Sequence, residues 1–541
     1  MSIVRFFIFL VLVTHSFHSV SKSTENWYMI IENNIDNEYF VTSVDLDYRF
    51  TGPSQLSKYA ANNVSIGYMG KNEMRISPTS RIYMDVWLEN SPVDYPYIGN
   101  RCMVGTGCPN SYLEPDVIKK DGFYHLYQEN TVRESQYVRP AFSESFYTYL
   151  KNKSVNSSDT FQLYTCYTRN DYNIHNNQTC QDVGGKTESL NLTATKVAHL
   201  RLKSTNALQE IFVDSNGNPI LGLGSKFCDI ATVNNQNGVM CALGEYDFYG
   251  SIDSFSNNQL GIRVNVLPTI MNNKLIDKND LLIGNGNNSW QQYNSNTSSI
   301  SNYLKLKDLL SSNKNNKIYI FMANSFLKKL INNKIDLSNS QNMFTFLFKN
   351  NVAPQSGYYE FTPSNTLIIK PRDYGISIVS KELVNKPYRE GKVGDKEPPL
   401  AFDYIVTTSA FRQADKITAS VEGPQTTIRG QPYCLFSSKD KKINVPFSAY
   451  LTYTNEAGSK VKTRTACDNV PISIKEALWT QTTWPYPYQL EGYFYRTDLQ
   501  LTFPMNEGTS LFSLEGEDWI GVVEASGYVN VFAEWSGTDI H

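Results

Sequence analysis

The chain has 541 residues with 49 basic against 52 acidic side chains, a formal charge of -3. No basic stripe able to neutralise phosphates is present, which excludes nucleic acid as the expected ligand class. The 35 Tyr, 28 Phe and 7 Trp, set among abundant Asn, Ser and Thr, suit pleated, half-buried strands joined by polar turns, so the fold is read as all-β.

Residues 1–21 read as a signal peptide. One positive charge in Met1 to Arg5 runs into the apolar stretch Phe6 to Val13, with small residues at Ser19 and Ser21 for cleavage. That apolar run is much shorter than the ~20 residues of a membrane span. The remaining length favours three domains at about 150 residues each. Trp27 to Ile31 and Tyr39 to Val44 are strand-like, joined by Asn-Asn-Ile-Asp-Asn as a hairpin connection. Ile82 to Leu88 and Phe161 to Thr168 alternate as strands, while Phe142, Phe146, Tyr149 and Leu150 repeat at helical spacing.

Near residue 203 the pattern restarts, with strands at His199 to Leu202 and Ala207 to Val213 and a turn at Asp214 to Gly217 before Pro219. Gly261 to Leu267 puts Ile262, Val264 and Val266 on one strand face, and the Asn/Ser-rich stretch 284–302 is expected to be a surface loop. Phe326, Leu327, Leu330 and Ile331 mark a helix. Lys386 to Pro399, charged and rich in Gly and Pro, reads as an interdomain linker. The expected organisation is thus a signal over 1–21 and β domains over 22–203, 204–392 and 393–541. In the last strand, Val529, Val531, Ala533 and Trp535 share one face and Tyr528, Asn530, Phe532 and Glu534 the other.

Eight cysteines, Cys102, Cys108, Cys166, Cys180, Cys228, Cys241, Cys434 and Cys467, form an even set in a chain bound for an oxidising compartment. Spacing alone leaves the connectivity open. Pairing sequential neighbours is the economical arrangement, and a bridge closing a loop like Cys166 to Cys180 contributes about 3 kcal/mol. Zinc fits poorly, because no pair is spaced Cys-x-x-Cys and His125, His175, His199 and His541 lack ligand spacing. Asn-x-Ser/Thr triplets at Asn63, Asn152, Asn156, Asn177, Asn191, Asn287 and Asn296 are read as a by-product of an Asn-rich composition.

Catalytic signatures are missing from the sequence: no Gly-x-Ser-x-Gly elbow, His-Glu-x-x-His or phosphate loop occurs. Gly391 to Lys396 carries glycines and lysines without Walker spacing. Asp85 and Glu89 flank Trp87 in Met84-Asp85-Val86-Trp87-Leu88-Glu89-Asn90, and two carboxylates beside an aromatic are the kind of group glycoside cleavage uses. The simpler reading is a strand whose acids are solvated on one face while Val86 and Leu88 are buried on the other. Contact with a sugar or other ligand through Asp85, Trp87 and Glu89 ranks between these.

Several stretches resemble the tip-adhesin family of the common pilus, a chaperone-usher system: Met84 to Val93, Ser364 to Asp373 and Asp403 to Ser409. The similarity runs from about residue 27 to Trp535, and the layout of four cysteine pairs also matches. This resemblance implies tandem immunoglobulin-like β-sandwich domains with a few short helices and a C-terminal pilin-type domain. It further implies export through the periplasm with a dedicated chaperone, passage through an outer-membrane usher, and display at the fimbrial tip at the cell surface. Host-cell attachment through a receptor and early biofilm formation are the implied roles, with no cofactor and no catalysis. Such a pilin-type domain lacks one strand, and a segment of the major pilin fills the groove. In this chain Val529, Val531, Ala533 and Trp535 are the expected groove lining. Only Lys22 to Asn26 separate the cleavage site from the first strand, too short a segment to donate in return. The competing readings are a secreted carbohydrate-active enzyme and a structural tip initiator that binds no receptor.

Overall fold

A computed structural model describes residues 22–33, 38–42, 82–101, 112–113, 115–128, 140–203, 205–251, 260–266, 276–277, 279–287, 289–293, 304–311, 316–335, 343–350 and 358–537. Strands dominate, as the composition requires, with three short α-helices among the described residues at Glu144–Asn152, Leu306–Ser311 and Asn324–Asn332. The signal segment, Cys102, Cys108 and residues 294–303 lie outside the described residues.

The organising element of the N-terminal body is the strand Lys186–Lys203. One of its edges pairs in succession with Ser158–Thr168 and then with the end of Gln236–Gly250, both antiparallel. Its other edge takes Lys22–Asn33 in parallel, from Lys22↔Leu190 to Asn33↔Leu202. The first strand therefore starts at Lys22, not Trp27, because a parallel partner continues along residues the hydrophobic pattern leaves unmarked. Glu38–Thr42 pairs with it antiparallel as expected, while the connection over 34–37 and residues 43 and 44 lie outside the described residues. Alternation then explains the core: Leu190, Leu192 and Ala194 are buried on one face of the long strand while the residues between them are half-buried.

Strands from both sides of residue 203 share one sheet, and one hydrophobic cluster extends from Tyr28 to Ile369. Ile262, Val264 and Val266 are buried in it together, as are Phe326, Leu327 and Leu330 of the Asn324–Asn332 helix. The expected loop at 284–302 is in part structured, since Trp290–Gln292 folds back antiparallel onto Leu281–Gly284.

Thr366–Pro371 returns in parallel to Leu208–Val213, and the chain passes directly into the C-terminal sandwich at Tyr374–Ser380. That strand pairs with Leu400–Ala410, so 386–399 is a loop between two paired strands of one sheet and not a linker between domains. Gly and Pro enrichment marks a chain reversal as readily as a joint, and here the ladder shows which it is. A boundary at 392/393 would cut this hairpin.

Two clusters fasten body to sandwich: Phe212, Ile220, Trp484 and Phe494, and then Leu208, Ile368 and Val379. Between them the Arg372 guanidinium lies 4.6 Å from the Trp484 ring and 4.3 Å from the Tyr488 ring, with Asp214 and Glu491 each at 3.4 Å. Gly492 is needed beside it, because a Cβ there would come within 2.5 Å of the Trp484 ring. Arg372→Ala removes both stacking contacts and leaves the buried Asp214 without its cation. A loss of about 3 kcal/mol is expected in urea unfolding followed by tryptophan fluorescence; a loss under about 0.5 kcal/mol would count against the contact as a structural tie.

Candidate functional site

On the strand Ile82–Glu89, Met84, Val86 and Leu88 point into the core, and Tyr83, Asp85, Trp87 and Glu89 share the opposite face. The expectation that both acids are solvated fails for Asp85, which is 1% exposed. The segment 169–185 folds over this end of the sheet and is held by the disulfide Cys166–Cys180. Asp85 Oδ1 accepts from the Tyr172 hydroxyl and lies against His125 Nδ1, both at 2.7 Å, and Oδ2 accepts from the Cys180 amide at 2.7 Å. Asp85 is thus a buried fastening for its own cover. Its partners lie 40, 87 and 95 residues away, so no local sequence signal could have found them.

Trp87 packs against the edge of the cover, and Glu89 lies exposed beyond it. Trp87 is half-buried and stacks on Tyr164 with centroids 5.2 Å apart and planes 4° from parallel. The Tyr164 hydroxyl donates to the exposed Glu89 carboxylate at 3.2 Å. Burial pushes the Tyr164 phenol up, and the neighbouring Glu89 charge adds to it. The three expected ligand residues are therefore split: Trp87 and Glu89 share an open face with Tyr164, while Asp85 is sealed and its oxygens are taken. Asp85 and Glu89 do not form an accessible acid–base pair.

Three of the expected cysteine pairs, Cys166–Cys180, Cys228–Cys241 and Cys434–Cys467, are disulfides between sequential neighbours. Replacing Cys180 by Ser is expected to lower the unfolding free energy by about 3 kcal/mol. It should also speed deuterium uptake at residues 169–185 more than elsewhere. Uniform uptake across the chain would mean the bridge does not hold the cover.

The C-terminal sandwich presents a different site. One sheet has the order Tyr374–Ser380, Leu400–Ala410, Tyr493–Phe503, Ala449–Thr454, Lys460–Thr465, and the other has Ile472–Ser473, Lys416–Glu422, Tyr528–Glu534. The last strand is an edge: it pairs with Lys416–Glu422 from Glu422↔Tyr528 to Lys416↔Glu534, and among the described residues nothing pairs with its far side. Tyr374–Ser380, the edge of the facing sheet, lies alongside without a hydrogen-bonded ladder.

Side-chain burial shows how far this margin is covered. On the inner strand, Ile417, Ala419 and Val421 are buried completely. Val529, Val531 and Ala533 on the last strand, and Trp535 just past its end, face the same core yet are only half-buried, as are Ile376 and Ile378 on the facing edge strand. One end of this margin is closed. The Trp535 ring meets Tyr374 at 5.5 Å, Tyr374 meets Phe411 at 5.7 Å, and the Trp535 indole donates to the Arg412 carbonyl at 3.0 Å. Arg412 pairs with Asp415, which also accepts the Ser536 amide, and these partners pull the Asp415 carboxyl down to about 2.

This architecture defines a disulfide-stapled, modular β protein, a class found in secreted and surface-displayed chains. The chain belongs to the E. coli common pilus adhesin EcpD family. The N-terminal domain model of that family matches residues 16–200, the middle-domain model 204–366 and the C-terminal domain model 373–533. Fimbria adhesin EcpD of Escherichia coli O157:H7 is 34% identical over 538 residues, covering 96% of this chain and 95% of that protein, and the protein of Escherichia coli strain K12 matches to the same extent. Among solved structures, CfaE, the adhesive subunit of CFA/I fimbria of enterotoxigenic E. coli, aligns with a TM-score of 0.18 and 8% identity over 62% of this chain and 88% of that one. That is too distant to add to the assignment.

Proposed function

We propose that the chain is the tip adhesin of a chaperone-usher fibre, completed at its C-terminal sandwich by an extended segment of the major pilin. The observation that carries this reading is the margin of the last strand, where an edge unpaired among the described residues runs beside four inward side chains that are only half-buried. An extended segment placed there would satisfy the open backbone groups and bury alternate apolar side chains. A periplasmic chaperone would occupy the same edge first and an outer-membrane usher would exchange it for the pilin. The first strand supports the terminal position, since Lys22–Asn33 is engaged along the chain's own long strand and not free to be donated. Receptor binding falls to the N-terminal and middle domains, which leave the pilin contact to the C-terminal sandwich.

Immunogold labelling of fibres carrying the tagged chain tests the position: gold at fibre ends only is expected, and label along the shaft would overturn it. Cell binding tests the division of labour. The body should compete with whole fibres for host cells, and competition by the C-terminal sandwich alone would reverse the assignment.

A further inference from the structure

Outside the groove, the apolar side chains most fully presented to solvent in the last sandwich include Ile520, 96% exposed, and Val522, 81% exposed. They are not on loose chain. Phe512 bridges Asp518, and the Ser513 amide donates to Glu517 at 2.8 Å, which makes 512–518 a tight hairpin. The Leu514 amide donates to Asn444 at 2.7 Å, and Glu524 and Ser437 exchange both backbone bonds at 2.9 and 3.0 Å. Trp519 and Val523 turn inward onto the core, and of the three residues between them Ile520 and Val522 turn outward on either side of Gly521. Phe512 and Leu514 add partly exposed apolar surface to the same hairpin. A pinned segment that displays large aliphatic side chains has no folding reason to do so, and marks an interface.

Position identifies the occupant. The segment runs straight into the open strand, with Val522 six residues before Tyr528. A segment lying in the groove must join its own subunit at one of the two ends. The Trp535 end is closed by Tyr374 and Phe411, and Tyr374 lies two residues after Arg372, which is tied to Asp214 of the body. The Tyr528 end is therefore the free one, and the hairpin stands beside it. Charge narrows the contact. No Lys or Arg occurs after Arg496, and the hairpin carries Glu515, Glu517 and Asp518. The adjoining turn 438–443 adds Lys439, Lys441, Lys442 and Asp440, so the rim is of mixed sign and the aliphatic contact has to carry recognition.

We infer that Ile520 and Val522 form an apolar brim that docks the globular body of the same pilin subunit whose segment fills the groove. This rests on the acceptor reading given above and adds a second contact outside the groove. The contact makes the joint at the fibre tip bivalent: strand in groove, body on brim.

The test uses the full chain and three probes: a synthetic peptide of the pilin's N-terminal segment, the intact pilin subunit, and the chaperone. Ile520→Asp and Val522→Asp should keep the wild-type unfolding midpoint and the wild-type affinity for the peptide. Affinity for the intact pilin should fall on the order of tenfold. Ile230→Asp, an equally polar change at an exposed aliphatic on the body, should alter neither. Peptide binding with intact pilin held equally by all variants overturns the brim alone. A loss seen with the chaperone and not with the pilin also overturns it, in favour of a chaperone contact. Failure of the wild-type chain to bind the peptide overturns the groove reading and the brim together.

Discussion

Fusing the N-terminal segment of the major pilin behind His541 is expected to raise the unfolding midpoint of the C-terminal sandwich by about 10 °C or more. Four side chains, Val529, Val531, Ala533 and Trp535, already face the core and are half-covered, as are Ile376 and Ile378 on the facing edge strand. Each large aliphatic or aromatic group moved from water into that core contributes about 1.5–3 kcal/mol, and even partial covering of several of them reaches about 5 kcal/mol. Pairing of the open edge adds ladder hydrogen bonds, each with a net contribution of about 1 kcal/mol. A fused segment of the same length with its apolar alternation broken should give little gain, because alternate side chains must reach the core. Val531→Asp should cancel the gain of the native segment by placing a carboxylate in the slot. Equal midpoints for the fused and unfused chains would mean that the sandwich is complete as it stands, and the acceptor reading would lose its mechanism.

Asp85→Ala is expected to destabilise the body by about 3–5 kcal/mol, the largest single-residue effect proposed for it. The carboxylate is fully buried, and removing it leaves the Cys180 amide without its acceptor and the Tyr172 hydroxyl and His125 Nδ1, 3.1 Å apart, with only each other. Buried donors left unsatisfied cost about 1–3 kcal/mol each, offset in part if water enters the space. Tyr172→Phe, which removes one donor and keeps the ring, should cost only about 1 kcal/mol. Glu89→Gln, four residues along the same strand face but exposed, should fall within about 0.5 kcal/mol of wild type. Urea unfolding of the three variants orders them. If Asp85→Ala cost no more than Glu89→Gln, Asp85 would be a solvated surface acid, as alternation alone suggested.

Alternation in the sequence determined which residues share a face. Met84, Val86 and Leu88 are inward, Val529, Val531 and Ala533 face one core, and the helical spacing of Phe146, Tyr149 and Leu150 falls on the Glu144–Asn152 helix, while Phe142, grouped with them by spacing, ends the strand Pro140–Phe142. Cysteine number and order pointed to neighbour pairing, and the long matching stretches to the family. These features are legible because strand and helix periods are local properties of the chain.

What covers a face is not local. The alternation that put Asp85 opposite Val86 could not say that 169–185 folds over it, since that depends on a disulfide and on donors up to 95 residues away. The same limit misread Lys386 to Pro399 as a joint, because glycine and proline report a break in the ladder and not what lies on either side of it. Only the pairing of Tyr374–Ser380 with Leu400–Ala410 placed both strands in one sheet. Lys22 to Asn26 entered the first strand through a parallel partner more than 160 residues on, although their own side chains carry no strand signal. Backbone hydrogen bonds to a distant edge are blind to side-chain pattern, so the limits of strands and the cover over a face were settled by tertiary structure alone.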